Sequence, residues 1–213
     1  MHPRPVTRDD PVYRFAQRIP RLLWGSLAGL IVEGTANVPP TGPFLLICNH
    51  QSNLDPILIQ AVCPRIVHAM AKSSQFAAPV IGGIMKRLYS FPVRRYHPDP
   101  QAVRHVLRSL ARGEPVAIYI EGERTWDGRL QAPRLGTVRL LLKAGVPVVP
   151  CTISGSYQAW PRWHRRIRLR PVTIRFGPPI QFPRLDDRRA REAAVPEAAA
   201  RIMAALADES PAS

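Results

Sequence analysis

The sequence predicts an α/β fold with a mixed, largely parallel central sheet flanked by helices. Three observations predict it: six short apolar runs rich in β-branched residues, helical patterns alternating with them, and 213 residues with no internal repeat or long polar linker. Strands that are apolar on both faces belong in a sheet covered on both sides by helices. Alternation of strand and helix in turn favours parallel pairing. A chain of this length buries roughly 70% of its unfolded surface in one core and needs no disulfide staple.

The first dozen residues and the last half-dozen look poorly tied down. Residues 1–33 read as a basic amphipathic and apolar segment. Arg14, Arg18 and Arg21 recur at helical spacing, Val12, Phe15, Ile19 and Leu22 recur on another side, and Pro20 marks a kink or break. This pattern fits a segment lying in a membrane interface, and equally an ordinary helix packed on the domain. The apolar stretch LLWGSLAGLIV that follows is 11 residues long, whereas a spanning helix needs about 20. It begins too late for a simple signal peptide and lacks a small-residue cleavage site.

The core is expected over 34–180. FLLICN (44–49), IVHAMAK (66–72), YSFPV (89–93), PVAIYI (115–120), VPVVPCTIS (146–154) and VTIRFG (172–177) read as its strands. Between them, helices are predicted at 56–62, 79–88, 100–112 and 135–144, the last two stopped by Gly113 and Gly145. A C-terminal helical extension occupies 181–213, with a helix over about 187–207 that Pro196 interrupts.

Lysines and arginines number 30 against 15 acidic residues, for a net charge of +15; all but Lys72, Lys86 and Lys143 are arginine. A surface this positive is drawn to phosphate on nucleic acid, on anionic lipid or on an acidic carrier protein. Cys48, Cys63 and Cys151 are odd in number, widely spaced and apolar in setting, which fits buried thiols in a reducing compartment. No pair has metal-ligand spacing, and a zinc site on Cys48, His50 and Asp55 lacks a fourth ligand, so no metal is expected.

The segment CNHQSNLDP (48–56) holds the first chemistry. Asn49 and His50 fall where a strand ends, and Asp-Pro reads as a helix start, with Asp55 as N-cap and Pro56 in the first turn. Across a tight turn of Gln51, Ser52 and Asn53, the Asp55 carboxylate can fold back onto the His50 imidazole. That pairing is the base half of a Ser-His-Asp triad, without the serine: no G-x-S-x-G elbow occurs. The nucleophile is then a hydroxyl on the substrate; the plain alternative is a helix cap beside a polar loop residue.

A second loop, YIEGERTWDGRL (119–130), follows an apolar strand with Glu121, Gly122, Glu123, Arg124 and Thr125. Gly122 permits close backbone approach, and Arg124 offers a planar fork suited to phosphate oxygens. SFPVRRYHP (90–98) ends a third strand with Arg94 and Arg95. Two strand-end arginine clusters beside a His-Asp pair describe a site that holds a phosphate and deprotonates its neighbour.

With these residues in view, the chain resembles the 1-acyl-sn-glycerol-3-phosphate acyltransferase family, glycerolipid acyltransferases that acylate lysophosphatidic acid at its sn-2 hydroxyl. Four blocks carry the resemblance over 34–179: NHQSNLD, FPVRR, IEGERT and VPVVPCTISG. It implies His50 as general base, Asp55 as its orienting partner, and Arg95, Glu121, Gly122, Arg124 and Thr125 as acceptor-binding or site-organising residues. It also implies acyl-CoA or acyl-acyl carrier protein as donor, a lysophospholipid acceptor and no cofactor; the reduced thiols and the short apolar N-terminal stretch favour a peripheral position on the cytoplasmic side of the inner or plasma membrane. Departures bear on the acceptor: Glu123 stands where the family often has threonine, and Arg94 where an acidic residue commonly precedes the second-block arginine.

Outside the resemblance, QAWPRWHRRIRLRP (158–171) interleaves Trp160 and Trp163 with Arg162, Arg165, Arg166, Arg168 and Arg170. Membrane contact, donor docking, a nucleic-acid groove, or an edge strand over 166–170 with solvated arginines each fits. Rival functions are acylation of another lysolipid such as a lyso-aminolipid, a thioesterase or transacylase, and a non-catalytic basic module for membranes or nucleic acid. No zinc-finger spacing, RNP-like motif or helix-turn-helix supports specific nucleic-acid recognition.

Overall fold

The computed structural model describes residues 11–94 and 99–208. All six predicted strands form, as β2 (Leu45–Cys48), β3 (His68–Lys72), β4 (Ser90–Val93), β5 (Val116–Tyr119), β6 (Val148–Ser154) and β7 (Val172–Phe176). A seventh, β1 (Leu30–Glu33), completes one sheet in the order β1-β7-β6-β2-β5-β3-β4. Only β6 against β7 is antiparallel; every other neighbour is parallel, as the sequence predicts. The C-terminal ends of β2, β3, β4, β5 and β6 therefore open on one edge, where sites gather in such sheets.

The helices are α1 (Pro11–Leu27), α2 (Asp55–Val62), α3 (Pro79–Arg87), α4 (Pro100–Ala111), α5 (Leu135–Ala144), the single turn α6 (Ser156–Ala159) and α7 (Arg188–Asp208). Alternation along β2 splits the core into two layers. Leu46 and Cys48 join Trp24, Leu58 and Val62 under α1 and α2, whereas Leu45 and Ile47 join Val106, Leu141 and Ile202 under α4, α5 and α7. Central β2 is fully buried, which is why it reads as an unbroken apolar run.

Three local expectations change. The stretch 22–32 is divided at Gly29 (φ 84°): helix before it, strand after it. Strand β1 is a four-residue edge with no fully buried position, so it leaves no alternation to read. Both internal prolines sit inside continuous helices, Pro20 in α1 and Pro196 in α7. An interior proline costs about 3 kcal/mol, and burial of Val195, Ile202 and Leu206 on α7 contributes roughly 1.5–3 kcal/mol each. Packing outweighs the break. Finally, 166–170 forms no strand; β7 begins at Val172.

Both end segments pack on this core. Gln17 Nε2 donates to Gln60 O of α2 at 2.6 Å, Trp24 Nε1 donates to Arg170 O at 3.1 Å, and β1 pairs with β7. At the other end, Arg139 of α5 and Glu192 of α7 pair at 2.8 Å.

Candidate active site

The exit of β2 is pinned from both sides. The Asn49 side chain donates to Ile153 O at 2.9 Å and accepts from Ile153 N at 2.8 Å, continuing the ladder to β6. One residue on, His50 N donates to Glu121 Oε1 at 2.8 Å, and His50 O accepts from Thr125 N at 2.8 Å. Because His50 lies two residues beyond Cys48, its ring falls on the α2 face, stacked on Tyr119 with centroids 4.0 Å apart.

The turn brings His50 Nδ1 to 2.8 Å from Asp55 Oδ2. Asp55 is fully buried, and its carboxylate accepts four donors. Oδ2 takes His50 Nδ1, Gln51 N (2.6 Å) and Ser52 N (2.7 Å), and Oδ1 takes the Ser156 hydroxyl (2.6 Å). Those donors compensate the burial of a charge that would otherwise be costly. With Nδ1 donating, the imidazole carries its lone pair on Nε2. The N-cap of α2 is Leu54, not Asp55: Asp55 is the first helical residue and spends its oxygens on the turn behind it.

Ser156 escaped the sequence reading because it acts from 101 residues away, on the single turn α6 after Gly155. Gly155 has φ 84°, and a Cβ there would run into the Pro171 carbonyl, so the turn that aims Ser156 at Asp55 needs glycine. The one available signal is the S-G-S (154–156) that straddles the end of the fourth block.

The loop after β5 mostly organises. Glu121 is buried, and its Oε2 accepts from Gln131 N at 3.3 Å while Oε1 holds His50. Burial pushes its carboxyl up to about 7, against the pull of those two backbone N–H groups. Gly122 has φ 73°, and a Cβ would come within 2.8 Å of the Arg134 side chain. Its N–H is spent on Tyr119 O at 3.0 Å, so of the N–H groups near Gly122, that one is not directed at a developing oxyanion. The Thr125 hydroxyl is buried and faces Arg129 O (2.7 Å) and Asp127 Oδ1 (3.1 Å) within its own turn. Glu123 is engaged by arginines from elsewhere, Arg134 at 3.3 Å and Arg162 at 3.1 Å. Arg124 is half-buried beside them, its carbonyl accepting from Arg162 at 3.2 Å. Arg95 lies outside the described residues.

The predicted tryptophan pair is redistributed. Trp160 is partly buried against the core with Nε1 donating to His164 O, whereas Trp163 is 61% exposed and packs against Trp126, 4.9 Å between centroids. The Arg162 guanidinium lies 3.8 Å above the Trp126 ring. Arg165 and Arg166 are exposed beside this platform. Cys48, Cys63 and Cys151 are buried free thiols, and burial raises those of Cys48 and Cys63. Among the described residues, no group of three His, Cys, Asp or Glu side chains is placed to hold a metal ion.

An acyltransferase family model matches residues 29–154, from the turn before β1 to the end of β6, and spans both His50 and Asp55. The chain belongs to the acyltransferase family. Among relatives of this acyltransferase is the 1-acyl-sn-glycerol-3-phosphate acyltransferase of Bacillus subtilis, 28% identical over 68% of this chain and 72% of the relative. Another is the 1-acyl-sn-glycerol-3-phosphate acyltransferase of Limnanthes alba, 27% identical over 75% of this chain and 57% of its own length. The chain thus spans little more than half of the plant protein. The fold matches the crystal structure of the 1-acyl-sn-glycerophosphate acyltransferase PlsC from Thermotoga maritima, with TM-score 0.75 at 22% identity, covering 95% of this chain and 81% of that one. The matched family segment stops two residues short of Ser156 and before the Trp163 platform.

Proposed function

We propose that this acyltransferase moves an acyl group from the thioester of acyl-CoA or an acyl-acyl carrier protein to the free hydroxyl of 1-acylglycerol 3-phosphate, giving phosphatidic acid. The observation that carries it is the 2.8 Å contact between His50 Nδ1 and buried Asp55, which leaves Nε2 as the proton acceptor. The acceptor hydroxyl attacks the thioester carbonyl while Nε2 takes its proton. The tetrahedral intermediate then expels the thiolate, which recovers that proton from the imidazolium stabilised by Asp55. Two serines beside the dyad support direct transfer, since the hydroxyl of each is already committed. Ser52 Oγ donates to Trp160 O at 2.9 Å, and Ser156 donates to Asp55. In this reading donor and acceptor supply every reacting atom. Arg124 and Arg95 are the groups suited to the acceptor phosphate.

The enzyme meets its lipid at a membrane surface, on the cytoplasmic side. Helix α1 turns Tyr13 and Trp24 inward and leaves Phe15, Ile19, Leu22, Leu23 and Leu27 exposed beside exposed Arg14, Arg18 and Arg21. Among the described residues, no helix is long and apolar enough to cross a membrane. An apolar stripe edged with arginines is the composition of an interfacial helix, and exposed Trp126, Trp163, Arg165 and Arg166 add a second contact. The test is transfer from labelled acyl-CoA and acyl-acyl carrier protein to a panel of lysolipids, by the parent and by His50→Ala. Phosphatidic acid from the parent and none from the variant is expected. Preferred acylation of another lysolipid, or release of free fatty acid, would replace this reading with that acceptor or with a thioesterase.

A further inference from the structure

Strand β4 ends the sheet, and its open edge forms the base of a groove between α3 and α4 with a volume of about 1020 Å³. The size is that of a small-ligand site. Its base is largely aromatic: Tyr89 and Phe91 are buried, and the His105 ring stacks on Phe91 with centroids 3.9 Å apart. His105 Nε2 is buried and has no hydrogen-bond partner among the described residues. The rim is cationic, with exposed Lys86 and Arg87 from α3, Arg94 from the end of β4, and Arg104 and Arg108 from α4. Among the described residues the one carboxylate lining the groove is Asp99, which accepts from the backbone N–H groups of Arg94, Gln101 and Ala102 and faces Arg94 Nε at 3.8 Å.

Position adds to composition. Strands β2, β5, β3 and β4 are adjacent and parallel, so the groove mouth at Arg94 opens on the edge that carries His50. Three strand spacings of about 4.8 Å separate β4 from β2, ~14 Å in all, a gap that a pantetheine arm bridges. We infer that this groove holds the phosphorylated nucleotide end of an acyl-CoA donor, with the purine against the Phe91–His105 stack and the phosphates on the cationic rim. The inference rests on the acyl-transfer reading of His50 and names the donor for it. A concave groove of this volume suits a nucleotide better than it suits a folded carrier protein.

The experiment separates the two claims. Calorimetric titration of the full chain with free CoA, dephospho-CoA and pantetheine reads the groove without turnover. The double variant Arg104→Ala/Arg108→Ala is compared with Arg188→Ala/Arg189→Ala, which removes two arginines of α7 that do not line the groove. The parent and the α7 variant bind CoA, more tightly than dephospho-CoA, and the α4 variant loses roughly tenfold or more in affinity, since its lost contacts are charge-assisted. In turnover, the KM for acyl-CoA rises by a similar factor in the α4 variant while that for lysophosphatidate stays put. CoA binding that ignores the α4 arginines overturns the inference, as does a parent that binds no CoA yet accepts acyl-carrier protein. An equal rise in the lysophosphatidate KM overturns it too, by giving the rim to the acceptor phosphate. If no donor supports transfer, the catalytic reading fails, and the titration still decides the groove.

Discussion

The carboxylate of Glu121 holds the peptide N–H of His50 at 2.8 Å, across 71 residues of chain. The glutamate of the third block thus acts on the backbone of His50, whose ring orientation Asp55 sets separately. Charge on Glu121 is disfavoured by burial, which gives the contact a pH signature.

Glu121 has a folded pKa of about 7, above its ordinary 4.5. A raised carboxyl stabilises the fold fully below the lower value and loses that contribution as pH rises through the upper one. Replacing it by glutamine therefore removes a term on the order of 2–3 kcal/mol that fades between about pH 4.5 and 7. Urea unfolding of parent and Glu121→Gln at pH 5 and pH 8 should show the variant gaining stability relative to the parent on the alkaline side. His105, lowered to about 4 by burial, contributes with the opposite slope between pH 4 and 6.5, so only the difference between the two proteins isolates Glu121. A pH-independent difference would contradict the assignment.

Asp55→Asn keeps an acceptor for His50 Nδ1 but loses the charge that stabilises imidazolium. A drop in kcat of roughly 10³–10⁴ is expected, with KM for the acceptor nearly unchanged, by steady-state kinetics on protein of native circular dichroism. A comparable change in KM would point to acceptor binding instead.

Ser156 donates to the other oxygen of that carboxylate at 2.6 Å. Ser156→Ala leaves a buried oxygen short of one donor and should cost about 1–3 kcal/mol in chemical denaturation, with kcat lowered roughly tenfold. Ser156→Thr, which keeps a hydroxyl, should recover part of both. Full kcat in the alanine variant would reduce Ser156 to packing.

Arg162 joins Glu123, the Arg124 carbonyl and the Trp126 ring. Its truncation to alanine should raise the acceptor KM roughly tenfold with a smaller change in kcat, because the loop carrying Arg124 loses its brace. Lysine should rescue little, lacking the planar fork that stacks and bonds at once.

On α1, Phe15 and Leu22 are 64% and 69% exposed. Phe15→Asp/Leu22→Asp should leave the melting temperature within a few degrees, since surface changes are usually within about 0.5 kcal/mol. Flotation with anionic vesicles should fall several-fold, and residual binding should weaken with salt. Unchanged flotation would remove α1 from the membrane contact.

Much of this architecture is legible in sequence because β2 through β7 sit in or beside a doubly covered sheet, where burial writes itself as apolar runs. The His50–Asp55 pair is legible for another reason: five residues and a tight turn make the contact local. What stays hidden is long-range. Ser156 reaches Asp55 from a single helical turn, and Glu121 reaches a backbone N–H and Trp126 finds Trp163 through irregular segments, none long enough to impose a period. Strand β1 is missed because a half-exposed four-residue edge gives too few positions to show one.

The paired hydrogen bonds between the Asn49 amide and the Ile153 peptide make one side chain impersonate a strand residue. The sheet is thereby extended by a rung after the main chain has already turned away. The His50 imidazole thus takes its position from two buried central strands, and the loops around it can change without moving Nε2.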